Sequence, residues 1–300
     1  MSFKVAYYDI IHNMNCELCP RKCNIDRDVK LGFCGVNSNL KLAKAYLHQW
    51  EEPIISGTRG SGTVFFSGCN LKCVFCQNFD ISRGYGKEVT EERFIEIMKE
   101  LEDKGAHNIN LVTPTHYVDK IISALDKYRP SIPICYNSSG YESKETLKRL
   151  KGYIDIYMPD LKYADNSLAK KYSNVDNYFE TATEAILEMR SQVKDVIEDG
   201  LMKSGIIVRH LVLPNAIKNT LSVLDWITKN LSKDTYVSLM GQFVPYGKAK
   251  EFEELTRKVK PLEYRIAINK LLEAGFNNSF IQDLDSAVEE YIPPFDFEGI

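Results

Sequence analysis

Three cysteines, Cys69, Cys73 and Cys76, stand in one loop with the spacing C-x3-C-x2-C. The loop follows Val64-Phe65-Phe66, a β-favouring apolar run behind the turn signal Gly60-Ser61-Gly62, so it is expected at the end of a strand. A closed structural metal site takes four ligands. Three thiolates can instead hold three irons of a [4Fe-4S] cube and leave the fourth open to a small molecule. The other reading is a zinc knuckle completed by a distant residue.

Four more cysteines, Cys16-x2-Cys19-x3-Cys23-x10-Cys34, are enough to close a second site, an auxiliary zinc or a second Fe-S cluster. Pro20, Gly32 and Gly35 permit the tight turns of a metal-binding loop. The segment is poor in apolar periodicity, so a bound metal would contribute its folding free energy. The remaining alternative is free thiols or adventitious disulfides. Seven of the eight cysteines fall in the first 76 residues, which in a cytosolic chain points to metal before disulfides. Cys135 stands alone in the apolar run 132–136 and reads as a small buried hydrophobe.

Net charge over the 300 residues is −3, which supplies no basic field for nucleic acid. An apolar share of 44% allows a large core, yet no run of 18 apolar residues predicts a membrane span. Met1-Ser2-Phe3-Lys4 does not open a signal peptide, so the chain is expected in the cytoplasm.

The elements that must position these cysteines alternate. Thr90 caps a helix with Phe94, Ile97, Met98 and Leu101 on one face, ended by Gly105. Strands are expected at 109–112, 132–136, 154–158, 206–213 and 236–240, with a further one at 279–284. Helices are expected around Ile121 and Leu125, from Ser143, over 179–202, over 219–231, and over 264–274 to Gly275. Alternation implies parallel βαβ units, and about six of them fall short of the eight of a closed barrel. The predicted fold is α/β, a partial (β/α)6 TIM-like barrel over 62–285. It has an N-terminal cysteine-rich metal-binding segment, 1–61, and an extended tail, 286–300.

Chemistry in parallel barrels gathers at the C-terminal strand ends. Thr113, Thr115 and His116 follow the second strand, Asn137 and Ser138 the third, and Asp160 and Lys162 the fourth. Arg209 and His210 lie within the fifth, so alternation sends one to the lumen and the other to the helices. Gln242, Pro245 and Tyr246 follow the sixth. A mid-strand guanidinium needs a partner and can grip a carboxylate bidentately. Asn137, Ser138 and Asp160 suit ribose hydroxyls or an ammonium group. His116 could instead satisfy a turn backbone, and Asp160 and Lys162 could simply pair. Glu51 and Glu52, beside Trp50, either line a site or form a solvated elbow. No convincing acid–base pair is present, which agrees with chemistry carried by a cofactor.

The triad and its strand resemble the radical S-adenosylmethionine (radical SAM) superfamily. That resemblance implies a [4Fe-4S] cluster on Cys69, Cys73 and Cys76 whose open iron chelates S-adenosyl-L-methionine. It implies reductive cleavage to a 5′-deoxyadenosyl radical that takes a hydrogen atom, with Phe75 near the adenine. Over residues 62 to about 247 the chain is similar to the pyruvate formate-lyase activating-enzyme branch. Asp160-Leu161-Lys162 and the run 207–214, with Arg209, match its cofactor contacts. Two departures stand out. Thr113-Pro114-Thr115-His116 replaces a Gly-Gly-Glu run, and Val244-Pro245-Tyr246-Gly247 lacks a histidine after the sixth strand. The implied partners are a flavodoxin- or ferredoxin-type electron donor and a glycyl radical enzyme or peptide substrate, with no nucleic acid and no membrane. Radical modification of another peptide or small molecule, and a zinc-stabilised non-catalytic binding module, are the alternatives.

Overall fold

The apolar runs become neighbouring strands of one sheet in a computed structural model that describes residues 15–288 and 292–300. Met1-Ser2-Phe3-Lys4 and Tyr291, which heads the tail, lie outside the described residues. In chain order the elements are β1 (Lys41–His48), α1 (Pro53–Ser56), β2 (Ser61–Phe66), β3 (Lys87–Glu88), α2 (Glu91–Asp103), β4 (Ile109–Val112), α3 (Val118–Lys127), β5 (Ile134–Ser138) and α4 (Lys144–Arg149). They continue with β6 (Ile156–Pro159), α5 (Asn166–Ser173), α6 (Tyr178–Gln192), β7 (Val196–Glu198), β8 (Leu201–Leu211), α7 (Ile217–Asn230), β9 (Tyr236–Met240), α8 (Pro261–Ala274) and β10 (Ser279–Ile281).

The strand order is β10-β9-β8-β6-β5-β4-β2-β1-β3, with β7 paired to β8 off this path. From β2 to β10 every neighbour pair is parallel, while β1, β3 and β7 pair antiparallel. The fold is therefore α/β, a partial TIM-like barrel. Strands β2, β4, β5 and β6 are buried along their whole length, as strands covered on both faces must be.

Local chemistry sets the helix limits. The Thr90 side chain accepts the Arg93 N–H to start α2, and Ser143 accepts from Thr146 to start α4. Gly275, at φ 66°, ends α8 in the left-handed region. The stretch 179–202 is not one helix, contrary to expectation. It leaves α6 at Gln192 and turns through a hairpin between β7 and β8. Asp199 and Gly200 both hold positive φ, 52° and 76°, the pair of left-handed residues a two-residue hairpin turn requires.

Strand β1 was not read from the sequence. It joins residues 41–48 to the barrel sheet in register with the triad strand, Ala45 facing Val64. The tail lies along β1. Ala45 N–H donates to the Glu298 carbonyl at 2.8 Å, and Lys44 pairs with Asp296 at 2.9 Å and Glu298 at 2.8 Å.

Strand alternation separates a large apolar cluster from a smaller one, and a third gathers Ala43, Phe65, Ile81 and Val112. The larger fills the space between sheet and helices. The smaller, with Ile55 of α1, Cys135, Ile156, Met158, Met202 and Ile207, lies on the inward face. Cys135 is thus buried among apolar side chains, as expected. The same inward rows end in polar residues: Asn137 follows Cys135, Asp160 follows Met158, and Arg209 follows Ile207. Among the described residues no helix is long and apolar enough to cross a membrane.

Candidate active site

The triad loop begins where β2 ends. Gly68 sits at φ 88°, and a Cβ there would lie 2.8 Å from a Val36 methyl and 3.0 Å from His116 Nε2. Cys69 and Cys73 are buried and Cys76 is half-buried; none is in a disulfide. Hydrogen-bond donors are aimed at the sulfurs. Leu71 and Lys72 N–H groups reach Cys69 Sγ at 3.3 and 3.5 Å, and the Ser173 hydroxyl reaches Cys73 Sγ at 3.0 Å. Such donors suit thiolates better than thiols. Burial pushes the Cys76 thiol up to about 12 and raises Cys69 as well, while the Lys162 ammonium pulls both down. Thiols so placed ionise only when a cation replaces the proton. Among the described residues no three His, Cys, Asp or Glu side chains converge to grip one ion. A cube demands less convergence, because each thiolate takes its own iron.

Beside the triad lies a buried ion network. Arg209 Nε donates to Asp160 at 3.0 Å, Nη2 to Asn137 Oδ1 at 2.6 Å, and Nη1 to Glu51 at 3.3 Å. Lys162 Nζ donates to the other Asp160 oxygen. Burial opposes ionisation of Asp160, but Lys162 and Arg209 outweigh it and hold the carboxyl below the usual range. For Lys162, burial is outweighed by Asp160, with the Cys73 thiol adding to the pull. The side chains of Asp160 and Arg209 keep 12% exposure and Lys162 17%, so the network borders reachable space. Three of the five guanidinium N–H groups are engaged by protein acceptors, leaving two.

Glu51 was the ambiguous residue of the sequence. It is no solvated elbow, because α1 carries it under the barrel. Its carboxylate takes Asn110 Nδ2 at 3.0 Å, Asn137 Nδ2 at 3.3 Å and Arg209. It approaches from the opposite end of the strands to Asp160. Burial raises both Glu51 and Glu52, against the pull of Arg209. Pro53 at the start of α1 was the available signal, since it fixes a helix entry directly after the two acids. Ser173, the donor to Cys73, was also missed, because α5 was not read. Its cue was Asp165, which caps α5 by accepting from Ser167 N–H.

The other expected residues fall into two groups. Thr113 closes β4 with φ 60°, a left-handed conformation that is an outlier for a β-branched side chain, and its N–H donates to Asn137 O at 2.9 Å. Ser138 Oγ accepts the Gly140 N–H at 3.2 Å at the same rim. Phe75 is buried edge-on against Tyr172 and Phe243. Thr115 and His116 are turned into the protein. Thr115 donates to Glu142 at 2.7 Å, and His116 Nε2 donates to the Ser67 carbonyl at 2.8 Å. His116 thus satisfies a turn backbone, and burial lowers its pKa to about 3. His210 faces the helices, on Thr220 at 2.9 Å, while Arg209 faces the lumen.

A cleft of about 390 Å³ opens where the triad loop leaves the site, lined by Gln77, Phe79, Asp80, Tyr85 and Tyr246 and by Phe295 of the tail. Gln77 ties its floor to the Gln242 carbonyl at 3.1 Å.

This arrangement has relatives. A family model described as the radical SAM superfamily matches residues 63–215. An uncharacterized protein of Methanocaldococcus jannaschii is 33% identical over 279 residues, which span 90% of this chain and 77% of that one. Among solved structures, SuiB of Streptococcus suis bound to precursor peptide SuiA has a TM-score of 0.51 at 15% identity, covering 74% of this chain and 48% of SuiB. The FeFe-hydrogenase maturase HydG of Carboxydothermus hydrogenoformans gives 0.50 at 16%, covering 74% of this chain and 54% of HydG. This chain spans about half the length of those two structures, and at these identities the likeness is one of fold. The chain belongs to the radical SAM superfamily, whose members use a [4Fe-4S] cluster and S-adenosylmethionine.

Proposed function

We propose that Cys69, Cys73 and Cys76 bind the family's cluster and that the enzyme abstracts a hydrogen atom, with a glycine of a partner protein as the leading substrate. The observation that carries the reading is the Glu51–Asp160–Lys162–Arg209 network, whose Lys162 ammonium lies in Coulombic reach of all three triad thiols. When bound, the cluster and S-adenosylmethionine supply one-electron cleavage of the sulfonium. The protein binds and orients. Lys162 offers its remaining donors to the carboxylate of the cofactor. Asp160 and Asn137 take its ammonium or ribose groups, with Ser138 at the same rim. Arg209, anchored by Glu51 from below, fixes Asp160 in place and keeps two N–H groups for the ligand. Thr113 brings a carbonyl and hydroxyl to the place of the missing Gly-Gly-Glu run. Phe75 would lie near the adenine. The cleft beside Gln77 and Tyr246 admits the substrate.

One observation favours a second reading, another peptide or a small molecule as substrate. A Cβ at Gly247, where the activating enzymes carry histidine, would lie 2.2 Å from the Phe79 ring, so no side chain fits there. The test is anaerobic. Reconstituted protein with dithionite and S-adenosylmethionine should release 5′-deoxyadenosine, and a glycyl radical partner should then show a glycyl EPR doublet. Release without the doublet selects the second reading. A colourless protein that binds only zinc and releases nothing defeats both and leaves a binding module.

A further inference from the structure

Glu142 is a buried charged group that the proposed chemistry leaves unused. It is 1% exposed. Its carboxylate accepts from two hydroxyls, Thr115 at 2.7 Å and Tyr136 at 3.1 Å, and among the described residues no ammonium or guanidinium pairs with it. An acid buried against hydroxyls alone costs stability. What it secures is the loop after β4. We infer that Glu142 is a positioning residue for S-adenosylmethionine, which through Thr115 holds Thr113 in the conformation that meets the amino-acid end of the cofactor. This inference rests on the place proposed for Thr113 at the cofactor.

The backbone of Thr113 points to such a holder. Its φ of 60° lies in the left-handed region, which a β-branched residue rarely enters. Pro114 follows it, and a proline pushes the residue before it toward extended backbone instead. A conformation disfavoured on both counts persists only where its surroundings impose it. On one side the Thr113 N–H is held by the Asn137 carbonyl at 2.9 Å. On the other, Pro114 leads straight into two anchored side chains. The Thr115 hydroxyl is held by Glu142, and the His116 ring by the Ser67 carbonyl at 2.8 Å.

Glu142 can impose this position because its own stretch of chain is fixed to the rest of the site. The Tyr141 carbonyl accepts from Asn70 Nδ2 at 2.7 Å, directly after Cys69. The Tyr178 hydroxyl reaches the Ser139 carbonyl at 2.7 Å and the Asp160 carbonyl at 2.9 Å. Gly140, at φ 77°, lies so close to Asp160 that a Cβ would stand 2.2 Å from its carbonyl oxygen. Residues 139–142 are therefore tied to the triad loop and to Asp160 at once. The Glu142 carboxylate passes that position on to Thr115, and Thr115 to Thr113. Three strand-end loops that proposed cofactor contacts depend on are thereby set in one register.

The test compares the binding of two ligands to anaerobically reconstituted protein at matched iron content. S-adenosylmethionine carries the amino-acid end; 5′-deoxy-5′-methylthioadenosine has the same nucleoside and lacks that end. Glu142→Ala should weaken S-adenosylmethionine about tenfold, the loss of one buried hydrogen bond, and leave methylthioadenosine unchanged. Glu142→Gln keeps an acceptor for Thr115 and should bind both ligands as wild type does. Thr115→Val should repeat the result of Glu142→Ala, and Thr115→Ser, which keeps the hydroxyl, should restore wild-type binding. That second pair decides the matter if Glu142→Ala misfolds. Wild-type affinity for S-adenosylmethionine in Thr115→Val, or an equal loss for both ligands, overturns the inference. A wild-type protein that binds the two ligands alike would instead defeat the proposed placement of the cofactor, and this inference with it.

Discussion

Cys69, Cys73 and Cys76 hang from the end of β2, a strand with partners on both sides, whereas Cys16, Cys19, Cys23 and Cys34 lie in a stretch, 15–40, without helix or strand. The first loop inherits its place from the sheet. The second is fixed by side chains that reach carbonyls of the barrel, Arg21 to Asn70, Ser173 and Asn174, and Arg27 to His116, while Arg27 also ties Asn37 within the stretch itself. The same ligand atom is thus positioned by ladder hydrogen bonds in one case and by guanidinium forks in the other. The difference separates what a mutation should harm. In the triad loop, loss of a thiol should remove chemistry and spare the fold. In the other segment, loss of a guanidinium should loosen the scaffold and spare the thiols.

The largest effect is expected from Cys69→Ala, which should reduce 5′-deoxyadenosine formation to background while the far-ultraviolet circular dichroism stays that of wild type. Cleavage that survives would remove the triad from its proposed role. Next comes Arg209→Ala. It leaves Glu51 buried without a cation and Asp160 with Lys162 alone, and breaking a buried pair in that way costs about 3–5 kcal/mol. Chemical denaturation of the apo-chain reads that loss, and binding of S-adenosylmethionine to the reconstituted variant should weaken in parallel. A stable variant that binds normally would mean that the network is ornamental.

Much of the first region was legible from sequence because it rests on short-range rules. The triad spacing, the strand before it, the Thr90 and Ser143 caps and the Gly275 stop are all local. The opposed facing of Arg209 and His210 followed from strand alternation alone. Reading failed where long-range pairing decided. Residues 41–48 carry a weak apolar pattern, with Lys44 among them, and become a strand because β2 and the tail pair with them and Asp296 and Glu298 neutralise the lysine. Glu51 looked solvated because no local rule says that α1 turns beneath the barrel. The hairpin after α6 was hidden in an apolar run, although Asp199-Gly200 is a recognised turn pair. Thr115 and His116 sit beside cofactor positions in sequence yet point inward, and a two-residue difference in facing is invisible without the loop's backbone.

Glu142 sharpens the comparison, because it is buried behind both regions. It accepts from Thr115 at 2.7 Å and from Tyr136 at 3.1 Å, and its charge bears on Cys19. Burial lifts its carboxyl from 4.5 to about 7, against the lowering hydrogen bonds of Thr115, Tyr136 and Ser138. The folded chain therefore holds this proton more tightly than the unfolded chain. Below pH 4.5 both states are protonated and nothing is lost. Between pH 4.5 and about 7 the unfolded state releases the proton first, so the contribution of Glu142 falls as pH rises. Above pH 7 it stays lower by about 3 kcal/mol. Glu142→Gln should thus match wild type at pH 4 and exceed it by about that amount at pH 8 in urea denaturation. Equal stability at both pH values would show that Glu142 ionises at no cost.

The smallest effect tests the seam between the regions. Arg21 gives Nε to Asn70 O at 2.8 Å, Nη1 to Asn174 O at 2.7 Å and Nη2 to Ser173 O at 3.1 Å. Arg21→Ala removes three charge-assisted bonds, but the exposed Asn174 carbonyl recovers water, so the net loss should be about 2 kcal/mol. Arg21→Lys should recover little, since an ammonium cannot span three carbonyls as a planar fork does. The sensitive readout is local. The Cys69 N–H, bonded to the Cys34 carbonyl, should exchange with solvent faster in Arg21→Ala, while amides of β4 and β5 keep their protection. If β4 and β5 open together with Cys69, the cysteine-rich segment is part of the barrel's cooperative unit, and the contrast between sheet-held and fork-held thiols dissolves. If only the seam opens, the guanidinium is what joins the two regions.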